Sequence, residues 1–201
     1  MGLYTKYVLP RVTHNICSHA TLTRQREKVI PLATGRVLEV GIGSGLNLAL
    51  YKPGKVKHIW GLDPSLKMWN LARPRKFPFN IEFLQASAES IPLDDGLADT
   101  VVVTYTLCSI PGVIDALKEM RRVLKPGGQL VFCEHGSARE ENVRKWQDRL
   151  NPVWKKIGGG CNLNRPIPRL LNQGGFNIQA METMYIAGWK PACFNYWGTA
   201  N

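Results

Sequence analysis

The amino-acid sequence predicts an α/β fold, a doubly wound sheet of seven strands that is mostly parallel and has helices on both faces. Five short apolar runs have the composition of buried strands, and the stretches between them have helical spacing. Two further strand-like runs, residues 176–184 and 193–199, are separated by a turn at Gly188 and Pro191. Because parallel neighbours need a long crossover and antiparallel neighbours only a turn, we expect five parallel strands followed by an antiparallel hairpin.

The chain before the first strand is predicted to be helical. Residues 1–34 contain no strand pattern, residues 1–19 have the pattern of a leading helical arm, and Thr21 is placed to cap a helix over residues 22–32. Apolar runs begin after Arg36. The predicted parallel strands are Val37–Val40, Ile59–Leu62, Ile81–Leu84, Thr100–Thr104 and Gln129–Cys133.

Helices are predicted between and after these strands. One follows the glycines that end the first strand, and an amphipathic one over residues 113–124 stops at Pro126 and the two glycines after it. Residues 140–157 are predicted to form a helix interrupted at Pro152, and residues 166–173 a short helix closed by two glycines. Since the chain has no repeat, linker or low-complexity segment, we predict one domain over residues 1–201.

The composition excludes several classes of protein. Hydrophobic residues make up 44% and charged residues 20%, which is ordinary globular usage. No apolar run approaches the roughly 20 residues of a membrane span, and residues 1–10 lack the apolar core of a signal peptide. The five cysteines are odd in number, scattered and without a CxxC pair, so we expect free thiols in a cytoplasmic protein, with neither a disulfide framework nor a metal site.

The net charge of +11 is high for a globular protein of this size, and it comes from 26 Lys and Arg against 15 Asp and Glu. Such a charge suits nucleic acid, an anionic membrane surface or acidic substrates. The basic residues are dispersed, with no basic tail and no RNA-binding aromatic pattern, and this favours solvated helix faces over a polyanion track. We therefore predict no nucleic-acid partner, and a weak contact with a membrane surface stays open.

A glycine-rich turn follows the first strand. Gly41, Gly43 and Gly45 alternate, and Glu39 lies two residues before the first of them. Ligands of open parallel sheets bind outside the carboxyl ends of the strands, where glycines let the backbone approach a ligand closely. A dinucleotide-binding loop would have glycine at the sixth position, and here that residue is Leu46.

The ordered motifs resemble those of class I S-adenosylmethionine-dependent methyltransferases. They are the ExGxGxG pattern, Asp63 at the end of the second strand, Ala86-Ser87-Ala88-Glu89 after the third, and residues 117–128, which end in Leu124-Lys125-Pro126-Gly127-Gly128. The resemblance implies a Rossmann-like fold with S-adenosylmethionine as cofactor. It also implies that residues 36–135 bind the cofactor, residues 1–34 form a helical lid and residues 136–201 lie on the acceptor side.

The resemblance implies a role for each part of the cofactor site. The glycine loop passes the methionine moiety and Glu39 serves its ammonium group. Asp63 accepts bonds from the ribose hydroxyls, with a helix-cap role before Pro64 as the alternative. Ser87 stands where the family usually has Asp beside the adenine, with Glu89 as a second acceptor. The predicted cofactor residues are Glu39, Gly41, Gly43, Gly45, Asn47, Asp63, Pro64, Ser87, Ala88, Glu89 and Thr104.

The candidate catalytic residues are His135, Cys108 and Arg165. His135 ends the fifth strand, and it is a candidate general base or else bonds a loop carbonyl. Cys108 follows the fourth strand, where it lines the acceptor position or packs as a small apolar thiol. Arg165 stabilises an anionic nucleophile or lies on a helix surface. The [DNS]PP[YFW] pattern of DNA and protein-amide methyltransferases is absent after the fourth strand, which argues against amino acceptors.

Three segments and a helix bearing Trp146 and Trp154 resemble the thiol S-methyltransferase group. The segments are Thr106-Leu107-Cys108-Ser109, Glu134-His135-Gly136 and Gly159-Gly160-Cys161-Asn162-Leu163. This resemblance implies methyl transfer to a small thiol such as hydrogen sulfide, methanethiol or an alkyl thiol. Eukaryotic members carry an N-terminal membrane anchor without a counterpart here, so a soluble cytoplasmic enzyme is expected. Related bacterial sequences named as phospholipid methyltransferases keep a lipid or other hydrophobic acceptor as the alternative, and a nucleic-acid-binding or cofactor-sensing module is a third.

Overall fold

The computed structural model describes residues 4–72 and 76–201, and it contains the predicted sheet. Seven strands lie in the order β3-β2-β1-β4-β5-β7-β6. The first five pair in parallel, and β7 is antiparallel to both β5 and β6, which confirms the fold class. The strands are β1 Gly35–Val40, β2 Val56–Leu62, β3 Asn80–Leu84, β4 Ala98–Thr104, β5 Leu124–His135, β6 Ile178–Tyr185 and β7 Phe194–Ala200.

Helices cover both faces of this sheet. Successive side chains of β5 point to opposite faces of the sheet. Leu130 and Phe132 pack against α4 on one face, and Val131 and Cys133 pack on the other face, beside α2. The helices are α1 Leu9–Cys17, α2 Ala20–Val29, α3 Leu66–Trp69, α4 Val113–Val123, α5 Glu141–Ile157 and α6 Ile167–Gln173. A π-helical segment, Tyr4–Val8, leads into α1, and the first three residues of the predicted arm lie outside the described residues.

The helix predicted after the glycines is not formed. Residues 44–50 make a series of turns, in which Gly45 N–H bonds Ile42 O and Leu48 N–H bonds Gly45 O. Gly45 has a φ of +71°, which interrupts right-handed helical geometry at the start of the segment. The segment then reaches Pro53 too soon for a stable helix to form, so the prediction was wrong.

Three other boundaries differ from the prediction. Helix α2 is capped by His19, whose Nδ1 accepts a bond from Thr21 N–H at 3.3 Å, so Thr21 is not the cap. Helix α4 ends at Val123, because Leu124 already pairs with Ala98 in the sheet. Helix α5 runs without a break through Pro152, which removes one backbone donor from an exposed stretch without ending the helix.

No helix among the described residues is both long enough and apolar enough to cross a membrane. The longest, α5, has 17 residues and carries charged side chains along its length.

Candidate active site

The carboxyl ends of β1, β2 and β4 meet at one edge of the sheet. Val40 pairs with Leu62 on one side and with Val103 on the other. Gly41, Asp63 and Thr104, each one residue further along its strand, therefore lie side by side. The predicted cofactor residues that follow different strands are thus brought together at this edge.

The glycine loop has the backbone geometry that its sequence predicts. Gly41, Gly43 and Gly45 have φ values of +74°, +52° and +71°. A Cβ at Gly41 would collide with the Thr106 side chain, whereas one at Gly43 would point towards Asp63. Glycine is therefore required at Gly41 for space as well as for φ.

Asp63 is held by two backbone amides. Its Oδ2 accepts a bond from Gly43 N–H at 3.0 Å and its Oδ1 one from Ser65 N–H at 2.8 Å. Helix α3 is capped by Ser65, whose Oγ accepts from Met68 N–H, so the helix-cap alternative for Asp63 was wrong. Asp63 instead ties the glycine loop to the end of β2, and the neighbouring Pro64 is exposed.

Glu39 lies beneath the loop and is almost fully buried, at 1% exposure. Its carboxylate accepts bonds from Tyr51 Oη at 2.7 Å and Asn47 Nδ2 at 3.0 Å. The same Asn47 nitrogen lies 3.0 Å from Thr104 Oγ1, so one amide links β1 to β4. Burial raises the pKa of Glu39 to about 7, although the bonds from Tyr51 and Asn47 oppose the shift.

The predicted adenine segment lies at the end of β3. Ser87 Oγ donates a short bond to Glu89 Oε2, and Gly112 N–H donates to Glu89 Oε1 at 3.0 Å. Ala88 is buried beside them. Glu89 therefore joins this segment to the start of α4, and Ser87 Oγ keeps lone pairs with which to accept a further bond.

The N-terminal arm contacts both ends of the site. His14 Nδ1 lies 2.7 Å from Ser44 Oγ in the glycine loop, and Tyr4 Oη donates to Ile157 O at 2.9 Å at the end of α5. A cavity of about 270 Å³ lies between the arm and the outer side of the loop, where His14, Ser44 and Leu71 line it. The arm thus contacts both the glycine loop and the end of α5, and its role as a lid stays a prediction.

The acceptor side contains a cluster of three sulfur and imidazole side chains, Cys108, His135 and Cys161, hereafter the Cys-His-Cys cluster. Their ligand atoms all lie within 4.8 Å of one another, and Cys161 Sγ is 3.2 Å from His135 Nε2. His135 Nδ1 is buried and makes no hydrogen bond with the described residues. The alternative in which His135 bonds a loop carbonyl was therefore wrong.

Hydrogen bonds to the backbone hold the loops that carry the cluster. Glu134 Oε1 accepts from Thr106 N–H at 2.8 Å and Leu107 N–H at 3.0 Å, which fixes the loop after β4 to the end of β5. Asn162 donates from Nδ2 to Cys108 O at 2.8 Å and joins this loop to the one after α5.

Arg165 belongs to the same framework. Its guanidinium donates to Leu107 O and to Ile110 O, the latter at 2.6 Å. It is half-buried and does not lie on the surface of a helix, so the surface alternative was wrong. These two hydrogen bonds hold the Cys108 loop in place, and the positive charge of Arg165 lies close to the cluster.

The pKa values of the three side chains in the cluster differ from their ordinary values. Bonds with Cys108 and then His135 lower the pKa of the Cys161 thiol, while the bond with Cys161 and burial raise that of Cys108. Burial opposes protonation of His135, but contact with the Cys161 sulfur outweighs it and raises the His135 pKa. The contact between Cys161 and His135 therefore favours the charged form of both groups. Burial also raises the pKa of Glu134 to about 7.

Several of these residues were absent from the predicted site. Cys161 and Asn162 appeared only within a segment that carries the resemblance, and Tyr51 was not singled out. Glu134 carries a detectable pattern, since it is an acidic residue at the end of an apolar run, and such a residue is rarely buried without a partner. Asn162 and Tyr51 have no comparable pattern.

The residues at the glycine loop fit S-adenosylmethionine. The Asp63 carboxylate accepts from the loop amide of Gly43, and the buried Glu39 carboxylate accepts from Asn47, which follows the loop. Asn47 Oδ1 is buried and unpaired among the described residues, which leaves an acceptor for a cationic donor such as the ammonium group.

Comparisons with known proteins find methyltransferases. Residues 38–132 match the methyltransferase domain family. The chain is 33% identical over 165 residues to thiol S-methyltransferase TMT1B of Rattus norvegicus and 36% identical over 159 residues to the Homo sapiens protein of that name. These alignments cover 80% and 75% of this chain, and the chain spans 65% and 64% of those proteins, just under two thirds of their length.

Solved structures show the same fold. A SAM-dependent methyltransferase from Thermotoga maritima superposes with a TM-score of 0.69 at 21% identity, covering 98% of this chain and 97% of that one. Residues 38–132 thus match a methyltransferase domain and lie in the corresponding fold, and the chain is similar to thiol S-methyltransferases over most of its length.

Proposed function

We propose that this enzyme methylates a small thiol such as hydrogen sulfide, methanethiol or an alkyl thiol. The observation that carries the proposal is the Cys-His-Cys cluster, which places sulfur and imidazole groups at the carboxyl ends of β4 and β5, along the same edge as the glycine loop. The similarity of the chain to thiol S-methyltransferases supports a thiol as the acceptor.

When bound, S-adenosylmethionine supplies an electrophilic methyl group whose transfer leaves a neutral thioether. The chain's own residues have to place an acceptor sulfur in line with that methyl group and keep the sulfur deprotonated. The positive charge of Arg165 beside the cluster favours a thiolate over a neutral thiol.

The test is a panel of acceptors given to the purified protein with S-adenosylmethionine. We expect release of S-adenosylhomocysteine with hydrogen sulfide, methanethiol and short alkyl thiols, and none with the matching alcohols and amines. Mass spectrometry measures the methyl thioether, and calorimetry with S-adenosylhomocysteine confirms that the cofactor site is intact. Intact cofactor binding without turnover of any thiol would contradict the proposal.

An exposed surface favours a second candidate, a lipid or other hydrophobic acceptor at an anionic membrane. Trp146, Val153, Ile157 and Trp189 are 54%, 63%, 55% and 49% exposed on and beside α5. Trp146 and Trp189 line a groove of about 450 Å³. Exposed basic side chains flank these residues: Lys145, Arg149, Lys155 and Lys156. Apolar side chains beside basic ones are typical of surfaces that bind the membrane interface.

Vesicle sedimentation separates this candidate from the first. Binding to anionic vesicles that weakens with salt and in Trp146→Ser, together with methylation of a lipid and of no thiol, would support the lipid acceptor. Met181→Ser, which removes an exposed apolar side chain on β6, is the matched control. Equal sedimentation of wild type and Trp146→Ser would count against a membrane role of this surface.

A further inference from the structure

We propose that Cys108, His135 and Cys161 bind one zinc-type divalent cation, and that the acceptor thiolate takes the fourth coordination position. The identity of that fourth ligand rests on the proposed function, whereas the binding of the cation does not. The prediction of no metal rested on the absence of closely spaced cysteine pairs, but the fold supplies three ligands from distant parts of the sequence.

The spacing of the three side chains suits a tetrahedral site. Zinc lies about 2.3 Å from cysteine sulfur and about 2.0 Å from histidine nitrogen, so ligand atoms around it are about 3.5 to 3.8 Å apart. The three ligand atoms lie within 4.8 Å of one another, and the sulfur–nitrogen pair Cys161–His135 is 3.2 Å apart. A movement of at most about half an ångström at each side chain would therefore admit the ion.

The donor set also selects the class of metal. Two thiolates and one imidazole are borderline-soft donors, which favour zinc over magnesium or calcium. Three protein ligands leave one position open, as in catalytic rather than structural zinc sites. A site with this ligand set is suited to bind one exogenous thiolate.

A buried acidic side chain lies beside the cluster, directly before His135 in the chain. Glu134 is 0% exposed and its Oε2 has no hydrogen-bond partner among the described residues, so a buried polar atom beside the cluster is unsatisfied without a further group.

The ligands are held in advance of any ion. Glu134 and Asn162 bond the backbone on either side of Cys108, and Arg165 clamps the carbonyl groups of the same loop. His135 is fixed by the pairing of β5 with β7, in which it lies opposite Asn195. Such supporting contacts are typical of metal sites, where they orient the ligands.

The reaction balances without a redox step. An acceptor thiol replaces water at the fourth position, and its proton passes to solvent because coordination to the cation deprotonates it. The coordinated sulfur then forms the new bond to the methyl carbon as the old carbon–sulfur bond breaks, with its electron pair retained by the departing thioether. The methylated product is a neutral, weaker ligand and dissociates.

The test measures zinc binding by the full chain, reduced and freed of metal by a chelator. We expect about one zinc per chain, in competition with a chromophoric chelator, and thiolate-to-metal absorption with cobalt(II) as the probe. Cys108→Ser and Cys161→Ser should each weaken zinc binding at least about tenfold. Cys193→Ser is the matched control, because that buried thiol lies outside the cluster and should leave zinc affinity unchanged.

The controls separate this proposal from the thiol reaction. Thermal unfolding and S-adenosylhomocysteine affinity show that each variant is folded. Zinc affinity that is equal in wild type and Cys161→Ser would overturn the metal site, as would undiminished thiol methylation by zinc-free protein. Zinc binding without methylation of any thiol would leave the metal site standing, with a different fourth ligand, and would refute the proposed function.

Discussion

The cofactor edge and the Cys-His-Cys cluster lie along the same side of one sheet but are built differently. The cofactor edge consists of short turns that directly follow their strands, so each residue is placed by local geometry. The cluster takes Cys108 from a loop, His135 from a strand end and Cys161 from beyond α5, and hydrogen bonds between loops hold it together. Substitutions at the cofactor edge should therefore act on cofactor binding, and those at the cluster on acceptor chemistry.

Gly41→Ala should have the largest effect. The new Cβ would collide with Thr106 at a φ of +74°, which combines backbone strain with overpacking. We expect about 2 to 5 kcal/mol of lost binding, at least about thirtyfold in the dissociation constant of S-adenosylhomocysteine measured by calorimetry. Gly54→Ala is the control, because its φ is +80° but no atom lies within 4 Å of the added carbon. A similar loss in both variants would show that space at Gly41 is unimportant.

Glu39→Gln should change how stability depends on pH. Burial raises the folded-state pKa of Glu39 from 4.5 to about 7, so the native protein binds a proton that the unfolded chain releases in this range. The free energy of unfolding should therefore fall as pH rises from about 4.5 to about 7, with Glu39 contributing about 3 kcal/mol of that fall.

Denaturant unfolding of the cofactor-free protein at several pH values measures this slope. Glu39→Gln should flatten it in part, because Glu134 has a similarly raised pKa and stays in place. Glu27→Gln removes an exposed carboxyl group of α2 and should leave the slope unchanged. An identical slope in wild type and Glu39→Gln would show that Glu39 does not titrate in this range.

Arg165→Lys distinguishes the charge of Arg165 from its two-pronged geometry. Lysine keeps the charge but cannot hold both Leu107 O and Ile110 O in the same way. If geometry matters, thiol methylation should fall about tenfold or more, since bonds to charged groups contribute about 1.5 to 3 kcal/mol each. S-adenosylhomocysteine affinity should not change. Full activity would instead favour a purely electrostatic role, and Arg169→Lys on exposed α6 is the control.

His14→Ala should have the smallest effect. It removes the contact with Ser44 that joins the arm to the glycine loop, and one such bond contributes about 1 kcal/mol. We expect about fivefold faster dissociation of S-adenosylhomocysteine in stopped-flow measurements, with Asn15→Ala on the exposed side of α1 unchanged. Equal rates in all three proteins would show that the arm does not retain the cofactor.

The contrast between the cofactor edge and the Cys-His-Cys cluster also explains which parts of the molecule can be predicted from sequence. The seven strands, their hairpin and the glycine turn follow from apolar periodicity and from glycines at fixed spacing, which are local properties. The helix after Gly45 was predicted wrongly because the left-handed geometry of that glycine prevails over the helical tendency of the residues that follow.

The cluster was only partly predictable. His135 and Cys108 stand at strand ends, where functional residues are expected, and both were identified. The contact of Cys161 with His135 depends on where the loop after α5 returns to the sheet, and that is set by Asn162 and Arg165. No spacing of residues along the chain encodes that return, so the arrangement of three side chains emerged only from the fold.

The pairing of β5 with β7 has a consequence for how this protein tolerates change. Glu134 and His135 are adjacent on one strand and so project to opposite sides of the sheet, and β7 fixes that alternation through Tyr196 and Asn195. If β5 slid by one position against β7, Glu134 and His135 would exchange sides of the sheet. The Glu134 carboxylate would then no longer hold the Cys108 loop, and the His135 imidazole would leave the cluster. The antiparallel strand at the far end of the sequence thus keeps the reaction centre in register, although it supplies none of its reactive groups.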